Sequence, residues 1–225
     1  FRNNRDMVYD INISPAEERI IEKVYSVKHV TLAGRATWLL GIVTGNNALY
    51  IKDTCAEGYE PVIKGRDIEP FRINPPGSYI RFEGEKFQQA ARQEMYRRGG
   101  KLLYRYISSR LVFAMDTEGR LTLNSANTVI PEIPGVPAKF VMGLFNSELY
   151  QFIFRKRFNS VKVLRSHIEE LPVPVPGEKE TARFIGAIEE IERGGSSDPL
   201  NSMVYKIFGL SDVDISLIRK ALACN

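Results

Sequence analysis

Asn74-Pro75-Pro76, within FRINPPGSYIRF (71–82), has the residue types to act on a DNA base. In amino-methylating DNA methyltransferases an Asn-Pro-Pro-aromatic loop accepts hydrogen bonds from the exocyclic amine of an extruded base, and the aromatic ring stacks on that base. Here position 77 is Gly, and Tyr79 falls two residues late, inside an alternating strand pattern. Such a loop also needs a Gly-rich turn between a strand and a helix to bring S-adenosylmethionine close to the backbone. The nearest string, GIVTGNN (41–47), has neither the spacing nor a following helix. Pro-Pro-Gly between two β-like runs is a sufficient turn signal, so Asn74-Pro75-Pro76 is read as a turn.

Other catalytic sets fail as well. His29 and His167 are the only histidines, which removes a paired zinc or HNH site. No lysine has an acidic residue two positions before it, so an acid-x-Lys nuclease pair is absent. No nucleophile-elbow string occurs, and the carboxylates of the C-terminal part fall on solvated helix faces. His29, His167, Cys55 and Cys224 are read as structural or incidental, and Trp38 as a core residue. The chain alone is read as non-enzymatic, with no cofactor or metal of its own.

The remaining polar strings suit recognition. TGNN (44–47) offers Asn46 and Asn47 in an amide-rich loop between strands, and Asn can pair bidentately with adenine; taken alone, the string reads better as an ordinary Asn-Gly-type turn. KGRDI (64–68) offers Lys64 and Arg66, with a local Arg66–Asp67 ion pair as the other reading. LNSAN (123–127) exposes Asn124 and Asn127, and NSVKVLR (159–165) offers Asn159, Lys162 and Arg165 to phosphates. Charge is unevenly divided: residues 166–225 hold six Lys/Arg against ten Asp/Glu, leaving +8 on residues 1–165 of a chain with net charge +4. Residues 81–110 hold eight basic and three acidic residues; a phosphate-binding surface and a solvated helix face both fit. Residues 155–165 hold five basic residues and no acidic one, which favours DNA. The phosphate-contact candidates are Arg97, Arg98, Lys101, Arg110, Arg155, Arg157, Lys162 and Arg165. The base-edge candidates are Asn46, Asn47, Arg66, Asn124 and Asn127.

The elements that must position these residues follow from periodicity. Ser14, Pro15 and Glu17 form a capping box before an amphipathic helix carrying Ile20, Ile21, Val24 and Val27. Strand-like pieces follow (TWLLGIV, ALYIK, EPVIK, YIRF), then an expected helix over EKFQQAARQEMYRRGG (85–100). Strands resume in KLLYRYI, RLVFAM, RLTL and NTVI, and AKFVMGLFNSELYQFIF (138–154) reads as one buried helix. LPVPVP is expected to be an extended segment leaving the sheet-bearing region, followed by two tail helices. The order implies an α+β fold: a mixed, mostly antiparallel curved sheet with flanking helices and a small helical tail. The expected division is a helical lead-in (1–35), a recognition domain (36–176) and an acidic helical tail (177–225). No run of about 18 apolar residues and no signal-peptide pattern occur, so neither a membrane nor secretion is expected. The chain opens on Phe1 rather than Met, and a fragment of a longer protein is expected.

LGIVTGNNALYIKD, YEPVIKGRDIEPFRI, SANTVIPEI, FVMGLFNSELYQFIFR and HIEELPVPVP, in this order and spacing, resemble the TaqI-like C-terminal specificity domain. The terminal NSMVYKIFGLSDVDISLIRKAL is similar to the tail that often closes such enzymes, so the resemblance spans about residues 36–222. It implies the target-recognition domain of an adenine-specific DNA methyltransferase, in some cases fused to a Type IIG endonuclease. The partners it implies are double-stranded DNA and an upstream domain that binds S-adenosylmethionine and carries the Asn-Pro-Pro-aromatic loop. It also implies a bacterial or archaeal cytoplasm. Thr44, Gly45, Asn46, Lys64, Gly65, Arg66 and Asp67 match the family's TGNN and KGRDI strings. Two rival functions stand beside this one: a protein-docking module acting through the acidic tail, and a compact DNA-modifying enzyme.

Overall fold

The computed structural model describes residues 13–223, so Cys224 lies outside the described residues. The N-terminal half contains α1 (Pro15–Ser26), β1 (Ala36–Leu39), α2 (Asn47–Tyr50), β2 (Ile51–Lys52), β3 (Glu60–Ile63), β4 (Ile68–Glu69), β5 (Arg72–Ile73), β6 (Tyr79–Ile80) and α3 (Gln93–Tyr96). Then come β7 (Lys101–Arg105), β8 (Phe113–Asp116), β9 (Leu121–Thr122), β10 (Ala126–Pro131), α4 (Ala138–Asn146), α5 (Glu148–Arg157), α6 (Arg165–Glu169), α7 (Glu178–Glu192), α8 (Asp198–Ile207) and α9 (Asp212–Ala223). The architecture is α+β. One antiparallel sheet has the order β1-β10-β7-β8; a second, mixed sheet has the order β2-β6-β3-β9, with β3 and β9 parallel. A hairpin pairs β4 with β5.

Strand alternation divides the first sheet between two cores. Leu102, Tyr104 and Val129 face the helices and join the main apolar cluster, which runs from Ile20 through Phe140 and Phe152 to Ile218. Leu103 and Ala126 face the other way, against Ile63 and Ile68. The capping box forms at α1, with Ser14 N donating to Glu17 Oε2 at 2.9 Å. The tail helices have no core of their own: Phe184 and Ile188 of α7 press on Gly143 of α4, where a Cβ would come within 2.6 Å of each.

Several expected elements differ. The stretch 85–100 is not one helix but a 3-10 turn at Gly84–Lys86 and the single turn α3, because Gln89 pairs in β fashion with Val43. Residues 138–154 form two helices that meet at Ser147, whose hydroxyl donates to Leu144 O at 2.6 Å. The break aims two side-chain amides at the β8 edge. Asn146 exchanges hydrogen bonds with the Phe113 backbone (3.0 and 2.8 Å), whose carbonyl also accepts from Phe71 N (2.9 Å), and Gln151 exchanges them with the backbone of Leu111 (2.9 and 3.0 Å). LPVPVP does not leave the body: Val173 pairs with Val30, and Pro172 O accepts from the buried Tyr150 hydroxyl. The tail has three helices, α8 being the unexpected one. Within ALYIK only Ile51–Lys52 is strand, and the residues before it form α2. Trp38 is half-buried against the main cluster, edge-on to Tyr104 at 6.3 Å. Asn74-Pro75-Pro76 connects β5 to β6, with Asn74 N donating to Asp67 O at 2.8 Å.

Candidate nucleic-acid interface

The turn Leu123–Asn127 joins β9 to β10 and gathers three other segments. Leu123 N donates to Ile63 O (2.9 Å) and Asn124 N to Ile42 O (3.1 Å). Ser125 accepts twice, at its hydroxyl from Gly65 N (3.0 Å) and at its carbonyl from Tyr106 N (3.0 Å). One turn therefore fixes the C-terminal ends of β3 and β7 and the segment after β1. Such close approach requires glycine: a Cβ on Gly41 would lie 2.1 Å from Leu123 O, and one on Gly65 2.4 Å from Ser125 O. Asn127 belongs to this scaffold rather than to the surface. It is 3% exposed, and its Oδ1 accepts from Gly41 N at 3.1 Å. It also bonds to Tyr104, whose hydroxyl burial pushes up to about 12. The base-contact assignment of Asn127 is thereby corrected.

Around this turn lie the exposed candidates. The Asp67 carboxylate accepts from Lys64 N at 2.8 Å and holds the Lys64–Asp67 turn. Arg66 projects outward with its side chain 69% exposed; its guanidinium stands 3.8 Å from Asp67, the expected local pair in a loose form. Tyr106–Ser108 pairs with Val161–Val163 through Ser108 N to Val161 O (3.0 Å) and Val163 N to Tyr106 O (2.8 Å). The pairing puts Ile107 beside Lys162, both exposed. Asn159 turns the chain into this pairing with φ +39°, a left-handed conformation unusual for a residue with a side chain. Arg110 and Lys162 have no carboxylate partner among the described residues. Asn46 and Asn47 stand on the loop that continues from Ile42; Asn46 caps α2 by accepting from Leu49 N at 3.3 Å. Asn124 is exposed at the turn itself.

The other cations are placed differently. Lys101 is fully buried against Asp116 and donates to Tyr96 O at 2.6 Å, so it touches no phosphate. Burial lowers its pKa, and Asp116 pushes back. Arg97 is held by Glu60 (2.6 Å) and Gly119 O (3.1 Å), and Arg98 faces Glu132 at 3.9 Å. These three stand at the N-terminal end of β7, roughly 17 Å of strand from Tyr106. Arg155 donates to Ala221 O (2.9 Å), which clamps α9 to α5. Arg157 lies over the Tyr25 ring (4.6 Å) and near Glu170 (3.3 Å). Arg165 pairs with Glu169 (2.9 Å) and covers the Trp38 ring (5.4 Å). His167 stacks on Phe158 with centroids 4.5 Å apart, and burial lowers its pKa. Among the described residues no cluster of His, Cys, Asp or Glu could hold a metal ion, and no helix is long and apolar enough to cross a membrane. Gln88 and Gln89, read within an expected helix, instead lie exposed beside the TGNN loop; no local sequence signal announces that long-range pairing.

The fold has known counterparts. The chain superposes on the Type IIG restriction endonuclease BpuSI with a TM-score of 0.59 at 12% identity, over 92% of this chain and 32% of that one. It superposes on the Type IIL restriction-modification enzyme MmeI in complex with DNA with a TM-score of 0.53 at 10% identity, over 88% and 37%. At these identities the likeness is one of fold. Type II methyltransferase M.VspI of Vibrio sp. (strain 343) is 40% identical over 68 residues, which are 30% of this chain and 17% of that protein. The chain thus spans only a minor part of each relative. The TaqI-like C-terminal specificity domain model matches residues 60–173, half of the chain, and covers β3 through Val173, including Gly65 and Tyr106, which bond to Ser125; this chain belongs to that family.

Proposed function

We propose that this chain is the DNA sequence-reading module of an adenine-specific methyltransferase in a restriction-modification system, non-catalytic by itself. The observation that carries the reading is the end of the fold organised by Ser125. There, exposed amides (Asn46, Asn47, Asn124) and cations without carboxylate partners among the described residues (Arg110, Lys162) project from loops tied together by hydrogen bonds. Amides suit base edges and cations suit phosphates. Family membership and the partial identity to a Type II methyltransferase support the same reading. S-adenosylmethionine and the methyl-transfer loop are assigned to an upstream domain of a longer polypeptide. The one Gly-rich string here does not fit that cofactor, because Gly41 is pressed against the carbonyls of Leu123 and Ala126 and the string runs into a four-residue helix. The partner is double-stranded DNA, and the setting is a bacterial or archaeal cytoplasm. The acidic tail suits a docking arm less well, because Phe184, Leu200, Val204 and Ile218 bury its apolar faces in the main core.

Duplex binding by the chain, measured across salt concentration, tests the proposal. Log K is expected to fall linearly with log salt, with about 0.9 of slope per phosphate contact. Arg110→Ala and Lys162→Ala are each expected to reduce the slope by about one contact across all duplex sequences. A flat salt response overturns the proposal.

A further inference from the structure

Residues 43–50 and 86–89 form a small platform beside the loops just described, joined by a single β-bridge between Val43 and Gln89. Val43 N donates to Gln89 O (2.8 Å), and Gln89 N returns a bond to Val43 O (3.0 Å). Tyr50 lies edge-on to Phe87 at 5.3 Å, and its hydroxyl donates to Lys86 O at 3.3 Å. Gly45 has φ +78°, and a Cβ there would sit 3.4 Å from Gln88 Cβ, so Gln88 lies directly alongside the Gly45–Asn46 backbone.

The platform sorts its amides into two kinds. Asn46 Oδ1 accepts from Leu49 N, and Asn47 Oδ1 accepts from the Thr44 hydroxyl at 2.6 Å. With their oxygens engaged by the chain, both offer chiefly N–H donors outward. Gln88 and Gln89 differ: both are exposed and neither side chain forms a hydrogen bond with the described residues, and Gln88, the one against Gly45, has a carboxamide that presents a free acceptor beside a free donor. In the major groove adenine presents the matching pair, the N6 amine as donor and N7 as acceptor. Leu49, 64% exposed on the adjoining turn, suits contact with the methyl group of a thymine.

We propose that Gln88 is a specificity-determining residue that reads an adenine of the target site in the major groove, its oxygen accepting from N6 and its amide donating to N7. The inference rests on the DNA-reading function proposed above and deepens it.

Selection from a pool of randomised duplexes by the full 225-residue chain provides the test. The wild type is expected to enrich a motif. Gln88→Ala is expected to lose about 5- to 150-fold of discrimination at one A·T pair and keep the rest of the motif. Gln88→Glu, which preserves shape but only accepts, is expected to shift that position toward C·G. Lys162→Ala is expected to weaken all duplexes alike and leave the motif intact. If both Gln88 variants select the wild-type motif with unchanged discrimination, the inference falls while the parent reading stands. Duplex binding without any enriched motif also overturns it, and absence of duplex binding by the wild type overturns both.

Discussion

Asp116→Ala is expected to destabilise the fold by about 3–5 kcal/mol, because it leaves the Lys101 ammonium enclosed with no counter-charge. Both side chains of this pair are completely buried. Asp116 also orders the turn after β8, accepting from Glu118 N at 3.1 Å and Arg120 N at 2.8 Å. Lys101 in turn holds the carbonyls of Tyr96 and Arg98 at the end of α3. Removal of the carboxylate therefore frees two backbone amides and a cation together. In a protein of this size each kcal/mol moves the melting point by about 2–4 °C, so thermal unfolding should begin roughly 6–20 °C lower. Asp116→Asn, which keeps the shape and one acceptor, should fall between the wild type and Asp116→Ala. A loss below about 1 kcal/mol in urea unfolding would show that water reaches the ammonium and that the pair is not closed.

Gly41→Ala is the second large effect, and it acts through backbone rather than charge. The added methyl carbon would meet three backbone atoms: Leu123 O at 2.1 Å, Leu123 C at 2.3 Å and Ala126 O at 2.8 Å. No rotamer change relieves such a clash, so either the segment after β1 or the Leu123–Asn127 turn must move. Overpacking of this kind costs about 3 kcal/mol or more. Movement of the turn also loosens the Ser125 bonds to Gly65 and Tyr106 and the Asn127 bond to Gly41. Amide exchange at Gly65, Tyr106 and Gly41 should then accelerate more than exchange in α7, and affinity for DNA should drop with stability. Gly77→Ala is the control. Nothing lies within 4 Å of its added carbon and the backbone there is not left-handed, so stability should stay within about 0.5 kcal/mol. Equal unfolding midpoints for Gly41→Ala and wild type would refute the tight junction.

Local rules made part of this molecule legible. Ser14, Pro15 and Glu17 act over one helical turn, and α1 begins where they place it. The same holds for the Pro-Pro-Gly turn and for the loops rich in Asn, Gly and Lys, where short-range turn chemistry suffices. Long-range pairing was not legible. Residues 85–100 have a helical composition, but Gln89 finds Val43 across 46 positions and the helix is abandoned. A sequence also does not say which cations are already engaged. Arg97 meets Glu60 37 residues away, Lys101 meets Asp116 15 residues away, and Arg155 reaches Ala221 across 66. Composition marked all three as phosphate contacts, because charge density ignores where the partners lie. Asn127 misled for a related reason: it lies only three positions after exposed Asn124, but β10 has already begun and turned it inward.

Strand β7 keeps two kinds of residue apart. Its first residue anchors the enclosed Lys101–Asp116 pair, and the segment past its last carries Tyr106, Ile107 and the pairing with Lys162, with roughly 17 Å of strand between them. Substitutions separated by more than about 10 Å, with no shared partners, act independently in free energy. Under the DNA-reading function proposed above, the loops around Ser125 can be rewritten for a new target, and any resulting loss of stability offset by changes at the opposite end of β7, without the second set of changes altering which bases those loops read.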